Sequence, residues 1–213
     1  MKLPMKQKAE KHLALVDPVM GQLITKIKLT ERKAKSQARH FETLVESIVS
    51  QQLSVKASDT IFARFKKLFL LSSRAKGRAR FPKPEQILKM SDLKLRSAGL
   101  SNSKVKYIKD LAKKVHQKEV LLGKLKDMSD EEVIEHLIQV KGIGRWTGEM
   151  FLMFSLARPD VFSHGDFGLR NAIQKLYGRK RPLTQKQIEK IVAKWSPHRT
   201  LASRYLWKSL DNE

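Results

Sequence analysis

The stretch VKGIGRWTGEMFLMFSLARPDVFSHGD, residues 140–166, decides the fold of this chain. It begins with two glycines one residue apart, Gly142 and Gly144, continues as an apolar segment, and ends on Asp166, where a new helical pattern begins. Glycine permits positive φ and lets another backbone approach closely. We therefore interpret the stretch as a tight hairpin between two helices, followed by a carboxylate at the start of a third helix.

The hairpin has the features of a phosphate site. The helix after it is predicted to begin near Arg145, so its free N–H groups and its dipole point at whatever lies above the loop. A phosphate oxygen is the natural ligand there, and this contact holds nucleic acid without reading its sequence. Lys141 adds positive charge beside the glycines. The structural alternative is a plain turn between two antiparallel helices with packed glycines.

The composition points to a polyanionic partner. The 213 residues include 44 lysines and arginines and 21 aspartates and glutamates, which gives a formal net charge of +23. Such a charge exceeds what solubility needs, and it indicates binding to nucleic acid or to an anionic membrane surface. Hydrophobic residues make up 41% of the chain, so we expect a folded core.

Cysteine does not occur in the sequence. This excludes disulfides, thiolate zinc sites, iron–sulfur clusters and a cysteine nucleophile, and it fits a reducing compartment. The basic N-terminus has no long apolar core, so we expect no secretory signal. Because no stretch reaches about 18 apolar residues, we expect no membrane span. The predicted location is the bacterial cytoplasm, in association with the nucleoid.

Apolar residues recur at helical spacing, and no segment alternates with a period of two over a useful length. The spacing predicts an all-α chain without repeats, with about ten helices. Besides the two helices that flank the hairpin, they cover residues 18–26, 40–55, 55–71, 85–89, 92–98, 103–116, 167–177, 185–195 and 197–210. Their predicted N-caps are Ser91, Asn102 or Ser103, Ser129 and Thr184, and Pro84 and Pro197 are placed near first turns.

Residues 74–83, RAKGRARFPK, contain five basic residues and no acidic one. Two interpretations of this predicted loop stay open, a solvated surface loop and a contact with DNA.

The motif residues resemble a known family. VKGIGRWTGEM at 140–150, followed by RPDVFSHGDFGLR at 158–170, resembles the helix–hairpin–helix–GPD superfamily of DNA glycosylases. Within it, the chain is most similar to the 3-methyladenine DNA glycosylase II group. Weaker supporting stretches occur in the family's order: SQQLS at 50–54, FPKPE at 81–85, and LRSAGLSNSKVKYIKDLA at 95–112.

The resemblance runs from about residue 41 to the C-terminus, and it implies two all-α lobes with a cleft between them. Residues 41–137 would form one helical lobe. Residues 138–213 would form the C-terminal lobe, with the helix–hairpin–helix motif and the Gly-Asp loop, and residues 1–40 would pack on it. We do not expect the extra β-domain of some larger relatives, since the chain lacks the room and the strand pattern.

Asp166 is the candidate catalytic carboxylate. It follows Gly165 and precedes a helical pattern, where aspartate is also a common N-cap, and the two roles are compatible. Cleavage of an N-glycosidic bond builds positive charge on the sugar. A fixed carboxylate stabilises that charge and can orient or deprotonate the attacking water. The nearest rival is Asp160, which we interpret as a loop residue because it follows a proline.

The resemblance also implies the reaction subtype. Bifunctional members carry, two residues after the second hairpin glycine, a lysine that attacks the sugar and cleaves the strand. This chain has Trp146 there, so we expect a monofunctional glycosylase that uses water and has no lyase activity. Lys141 is an alternative nucleophile, but we expect it to face phosphate.

A flipped base needs aromatic walls. By motif position, Trp146, Met150 and Trp207 are expected to line the base pocket, although a tryptophan at helical spacing is often simply part of the core. Met150 stands where some relatives carry a tyrosine, which suggests a softer wall. An electron-rich pocket attracts a cationic alkylated purine, and such a base is already a good leaving group.

Leu53 is expected to be the wedge that fills the gap left by a flipped nucleotide, with a core leucine as the alternative. Gln51 and Gln52 would meet the orphaned bases or the minor groove. His164 would touch phosphate or the catalytic loop. The other predicted DNA contacts are Lys141, Gly142, Gly144, Arg145 and Gly165.

Family hairpins often hold a monovalent cation through backbone carbonyls. Carried over by position, the ligands of a structural Na⁺ or K⁺ would be the carbonyls of Ile138, Val140 and Ile143. The resemblance alone carries this expectation, since side chains do not reveal a carbonyl site, and we expect no required cofactor.

The leading hypothesis is a monomeric, monofunctional DNA glycosylase. It would flip alkylated purines of the 3-methyladenine or 7-methylguanine type out of double-stranded DNA and leave an abasic site. One alternative is a non-catalytic helix–hairpin–helix DNA-binding protein, which would leave the Gly-Asp pair and two tryptophans without a purpose. The other is a glycosylase for oxidised or deaminated purines.

Overall fold

The structure is a computed structural model, and it describes residues 4–70, 81–178 and 181–211. Most of the basic loop predicted at 74–83 lies outside the described residues. All regular secondary structure in the described ranges is helical, which confirms the all-α prediction. The α-helices in these ranges are α1 (Met5–Val16), α2 (Pro18–Lys26), α3 (His40–Ser50), α4 (Val55–Leu70), α5 (Pro84–Lys89), α6 (Asp92–Arg96), α7 (Asn102–His116), α8 (Asp130–Ile138), α9 (Arg145–Phe154), α10 (Phe167–Tyr177), α11 (Gln185–Ala193) and α12 (Arg199–Leu210).

The chain divides into two compact units. We call residues 1–34 and 149–213 the terminal unit, and residues 35–148 the central unit. The hairpin belongs to the central unit, whereas the sequence-based division assigned it to the C-terminal lobe. A Cβ on Gly148, at the end of the central unit, would lie 3.3 Å from the Ile134 side chain, so the start of α9 packs closely on α8.

The terminal unit is built from the two N-terminal helices, residues 149–154 of α9 and the last three helices. Helix α10 packs against α12, and α12 also contacts α1 and α2. Sequence analysis placed no helix before residue 18, yet α1 is twelve residues long. The helical spacing of apolar residues in α1 is weak, because only Ala9 and Leu13 of this helix are buried. The core of this unit also includes Met20, Trp195 and Tyr205.

A buried carboxylate joins the two ends of the chain inside the terminal unit. Asp17 is 3% exposed and caps α2 by accepting the N–H groups of Val19 and Met20. Its Oδ2 accepts the indole N–H of Trp195 at 2.8 Å and the hydroxyl of Tyr177 at 2.9 Å. Burial and the charge of Asp17 raise the pKa of Tyr177, so this hydroxyl stays protonated and keeps donating.

The central unit packs α3 against α4 and α7, and α5 against α7. The helical spacing predicted for residues 40–55 is confirmed on α3, where Leu44, Val45, Ile48 and Val49 are fully buried. The helix ends at Ser50, five residues before the predicted end at 55.

Several predicted helix starts are confirmed by side-chain caps. Ser91, Ser129 and Thr184 accept N–H groups from their helices, and Pro84 occupies the first turn of α5. Two predicted starts differ from the structure. Helix α7 is capped by Ser101 rather than by Asn102 or Ser103, and α12 begins at Arg199 rather than near Pro197.

Within the described part of the chain, no helix combines the length and the apolar character needed to cross a bilayer.

Candidate active site

Asp166 is a buried, hydrogen-bonded carboxylate at the start of α10. It is 8% exposed and accepts the N–H of Leu169 at 2.8 Å as the N-cap of the helix. The indole N–H of Trp207 donates to the same oxygen, Oδ1, at 2.9 Å. Gly168 keeps this corner open, because a Cβ there would lie 3.2 Å from Asp166 Oδ1 and 3.2 Å from the indole of Trp207. Two donors on two helices therefore fix the carboxylate.

Trp207 contacts both the core of the terminal unit and the carboxylate of Asp166. It is partly buried against the core of the terminal unit, and its ring centroid lies 5.8 Å from that of Phe154. Its indole N–H donates a hydrogen bond to the carboxylate of Asp166. The structure thus brings together two of the predicted site residues within one unit, and it gives the tryptophan an orienting role that the sequence did not suggest.

The segment that leads to Asp166, residues 157–166, is called the carboxylate loop below. Helix α12 fixes the start of this loop through Thr200. The Thr200 hydroxyl accepts the N–H of Val161 at 3.0 Å and donates to the carbonyl of Arg158 at 2.7 Å. The N–H of Thr200 donates to the carbonyl of Pro159 at 3.0 Å.

Glu149 of α9 contacts the other end of the carboxylate loop. It is 8% exposed and accepts the hydroxyl of the fully buried Ser163 at 2.5 Å. The carbonyl of Ser163 in turn accepts the N–H of Asp166 at 3.2 Å. Sequence analysis did not single out Glu149 or Ser163, although an acidic residue inside the apolar run 146–156 was a visible signal.

Asp160, the rival carboxylate, has a structural role. Its two oxygens accept from the guanidinium of Arg199 at 2.7 and 2.9 Å, and Oδ2 also accepts the hydroxyl of Ser196 at 2.8 Å. Partial burial raises the pKa of Asp160, but the bonds from Arg199 and Ser196 outweigh it and hold the pKa below its usual value. Its position agrees with the interpretation of Asp160 as a loop residue.

The residues around Asp166 differ in exposure. Gly165 and His164 are exposed, and no atom lies within 4 Å of a Cβ built on Gly165. The His164 ring packs edge-on against Phe162, with 4.9 Å between the centroids. Phe167 directly follows the carboxylate and is 83% exposed, which is unusual for a large aromatic side chain. Sequence analysis did not select this phenylalanine.

The hairpin of the central unit, residues 139–144, is held through its main chain. Gly142 has φ +81°, and a Cβ there would lie 2.2 Å from the ring of Tyr107, so glycine is required on both counts. The N–H of Lys141 donates to Asp110 at 2.8 Å. The side-chain amide of Gln51 donates to the carbonyl of Gly142 at 2.8 Å. Among the described residues other than its chain neighbours, none has an atom within 4 Å of a Cβ built on Gly144, so the contacts of this part of the chain do not require glycine there.

The turn after α3, which contacts the hairpin through Gln51, also carries an exposed apolar side chain, that of Leu53. Lys104 donates to the carbonyls of Val49 and Gln51, each at 2.7 Å, and so satisfies the end of the helix. Partial burial lowers the pKa of Lys104. Gln52 adopts φ +57°, and Leu53 is 38% exposed, so it is not a core leucine. The position of Leu53 is compatible with the predicted wedge.

The family model for the HhH-GPD superfamily base excision DNA repair protein matches residues 45–198. The chain belongs to the HhH-GPD superfamily. This assignment confirms the resemblance inferred from the motif residues.

Similar proteins cover nearly the whole chain. DNA-3-methyladenine glycosylase 1 of Schizosaccharomyces pombe is 34% identical over 95% of this chain and 86% of its own length. The crystal structure of a DNA-3-methyladenine glycosidase from Bacillus halodurans has a TM-score of 0.81 at 36% identity, covering 96% of this chain and 89% of that one. The S. pombe 3-methyladenine DNA glycosylase in complex with abasic DNA has a TM-score of 0.78 at 33% identity, covering 96% and 97%.

The remaining HhH-GPD positions lie on α9 and at its start. Trp146 is 51% exposed, so it is not a core tryptophan, and Met150 is half-buried one turn later. Arg145, a predicted DNA contact, makes a bidentate ion pair with Glu131 at 2.7 and 2.8 Å. The hydrogen bonds from Arg145 lower the pKa of Glu131.

The predicted cation ligands are main-chain carbonyls of the hairpin. The Val140 carbonyl accepts the N–H of Ile143 at 3.0 Å and keeps a second lone pair. The side chains of Val140 and Ile143 are buried, while that of Ile138 is 45% exposed. A hard monovalent ion would find oxygen donors here, so the chemistry of the hairpin fits the expectation without testing it.

Proposed function

We propose that this protein is a monofunctional DNA glycosylase that excises alkylated purines from double-stranded DNA and leaves an abasic site. The observation that carries the proposal is the carboxylate of Asp166, which is fixed on one oxygen by the N–H of Leu169 and the indole of Trp207. The HhH-GPD family supplies the context of base excision repair. The names of the similar proteins support 3-methyladenine as the type of substrate.

In the proposed mechanism, Asp166 stabilises the positive charge that develops on the sugar as the bond to the base breaks, and it orients the attacking water. A carboxylate held by two rigid donors needs no reorganisation when that charge appears. The departing base carries a positive charge when it is alkylated, so the chain needs no strong general acid. Trp207, in the same unit as Asp166, would offer a π-face to such a cationic ring.

The central unit would supply DNA binding. The open side of Gly144 and the N-terminus of α9 suit a phosphate oxygen, and Lys141 adds charge beside them. Leu53, exposed on an anchored turn, would fill the gap left by the flipped nucleotide. A Na⁺ or K⁺ on the carbonyls of Ile138, Val140 and Ile143 would strengthen the contact between hairpin and phosphate.

The experiment is base release from methylated duplex DNA by wild type and by Asp166→Asn, with the released bases separated by chromatography. We expect wild type to release 3-methyladenine or 7-methylguanine, and the variant to lose at least about 100-fold to 1,000-fold in rate while still binding DNA. Release by the variant at the wild-type rate would contradict the catalytic role. Salt-sensitive binding without release of any damaged base would favour a non-catalytic DNA-binding protein.

Absence of lyase activity is a separate part of the proposal, because Trp146 occupies the position of the lysine nucleophile. A lysine that attacks the sugar forms a Schiff base, which borohydride reduces to a stable covalent adduct. We expect no covalent protein–DNA adduct after borohydride treatment, and an unbroken strand at the abasic product. An adduct that disappears in Lys141→Met would instead identify that lysine as a nucleophile.

A further inference from the structure

Glu149 is a buried carboxylate that the proposed mechanism does not use. It lies in the middle of α9, is 8% exposed, and accepts the hydroxyl of the fully buried Ser163 at 2.5 Å. Burial of a carboxylate costs free energy unless the charge is hydrogen-bonded. A bond of this length between a hydroxyl and a carboxylate is of the strong, charge-assisted kind. The bond therefore ties Glu149 and Ser163 together, so each side chain fixes the position of the other.

The bond to Glu149 reaches the candidate catalytic residue through one intermediate. The side chain of Ser163 donates to Glu149, while its carbonyl accepts the main-chain N–H of Asp166 at 3.2 Å. A shift of Ser163 would therefore move the main chain of Asp166, and with it the carboxylate. The other partners of Asp166, Leu169 and Trp207, hold the side chain from α10 and α12.

The two ends of the carboxylate loop are fixed by different helices. Thr200 of α12 bonds to Arg158, Pro159 and Val161 at the start of the loop, through one side-chain oxygen and one main-chain N–H. At the end of the loop, the bond between Ser163 and Glu149 connects it to α9. Without it, the turn that places Asp166 would lose a side-chain anchor on α9.

We propose that Glu149 is a positioning residue for the glycosylase reaction, which holds the turn 163–166 through Ser163 and so fixes the main chain of Asp166. The expected effect of Glu149 on base release rests on the proposed function. Its expected effect on the order of the carboxylate loop does not. Glu149 acts through Ser163 and has no role in contact with the substrate. A carboxylate suits this role because it is a stronger hydrogen-bond acceptor for the buried Ser163 hydroxyl than a neutral group is.

The test compares Glu149→Ala, Glu149→Gln and Ser163→Ala in single-turnover base release and in DNA affinity. A misplacement of about 1 Å costs on the order of 100-fold in rate, so we expect Glu149→Ala to lose about that factor with unchanged affinity for duplex DNA. Glu149→Gln keeps a neutral acceptor and should lose about tenfold or less. Combining Glu149→Ala with Ser163→Ala should add little, because both changes remove the same bond.

A matched control separates positioning from general stability. Asp17 is also a buried carboxylate of the same unit, and it accepts from Tyr177 and Trp195 rather than from a residue of the carboxylate loop. The Trp195 ring contacts that loop at Phe162, ahead of the turn 163–166, with 6.0 Å between the centroids. We expect Asp17→Asn to lower the Tm and to leave the rate of the folded protein unchanged. An equal loss of rate in Asp17→Asn and Glu149→Ala would overturn the positioning role.

Hydrogen exchange supplies a readout that does not depend on activity. In Glu149→Ala and Ser163→Ala, peptides that cover residues 161–168 should exchange faster than in wild type, while the same peptides stay protected in Asp17→Asn. Unchanged exchange and unchanged base release in Glu149→Ala would overturn the inference. If wild type released no base from any damaged duplex, the proposed function would fail, and the exchange experiment would still decide whether Glu149 orders the loop.

Discussion

The hairpin at residues 139–144 and the carboxylate loop at 157–166 both lead into a helix N-terminus, but they are held in different ways. Main-chain contacts fix the hairpin: Gly142 packs on Tyr107 and its carbonyl accepts from Gln51. Buried side chains fix the carboxylate loop, above all Thr200 and Glu149. This difference follows from the proposed roles. A phosphate contact needs exposed N–H groups on a rigid turn, whereas a catalytic loop must place one carboxylate.

Substitutions at the two glycines of the hairpin give the sharpest test of how the hairpin is held. Gly142→Ala introduces a Cβ 2.2 Å from the Tyr107 ring at a residue with φ +81°. Left-handed strain and overpacking together predict a loss of about 2–5 kcal/mol in the free energy of unfolding. Chemical denaturation measures this loss, and DNA affinity should fall with it because the turn deforms.

Gly144→Ala is the matched control, since no atom lies within 4 Å of its Cβ position. We expect its Tm to equal that of wild type while its affinity for duplex DNA falls about tenfold, as for the loss of one close charge-assisted contact. Fluorescence anisotropy with a labelled duplex measures the affinity. Wild-type affinity in Gly144→Ala would remove the hairpin from the DNA contact surface.

For Asp166, at the end of the carboxylate loop, the comparable test is the substitution Trp207→Phe on α12. Phenylalanine keeps an aromatic ring near Phe154 but removes the N–H that donates to Asp166 at 2.9 Å. Loss of one hydrogen bond to a charged group predicts about a 10-fold to 100-fold lower rate of base release, with DNA affinity unchanged. Single-turnover kinetics separate the two quantities. A lower affinity at an unchanged rate would make Trp207 a binding residue only.

Local sequence signals predicted the parts of both loops that depend on neighbouring residues. The capping box at Ser129, the glycine at 142 and the N-cap position of Asp166 all follow from residues within a few positions of each other. The buried stripe of α3 was predictable for the same reason, because helical spacing is a local property.

The partners that hold the loops were not predictable, because they are distant in sequence. Glu149 and Ser163 are 14 residues apart, and Lys104 bonds to carbonyls more than 50 residues earlier. A serine or lysine has many possible partners, and tertiary packing alone selects one. The first helix was missed for a related reason, since its short apolar face is completed by C-terminal helices.

Two arginine–carboxylate pairs give the last comparison, because both are bidentate but differ in exposure. Arg199 and Asp160, at the carboxylate loop, are 34% and 26% exposed, whereas Arg145 and Glu131, at the hairpin, are 58% and 55% exposed. Solvent screens exposed pairs, so we expect Glu131→Gln to leave the Tm unchanged. Asp160→Asn should cost about 1 kcal/mol or somewhat more at neutral pH.

The effect of Asp160→Asn should depend on pH with a defined sign. Because Arg199 and Ser196 hold the pKa of Asp160 below its usual value in the folded state, the carboxylate stabilises the fold above about pH 4, the ordinary value for aspartate. This contribution is lost as the pH falls through the lower, folded-state pKa. The Tm difference between wild type and Asp160→Asn should therefore be constant near neutral pH and shrink in acid, as thermal unfolding over a pH series would measure. A difference that does not change with pH would mean that Asp160 acts through its shape and not its charge, and the ion pair would then be no stronger an anchor than the exposed pair at the hairpin.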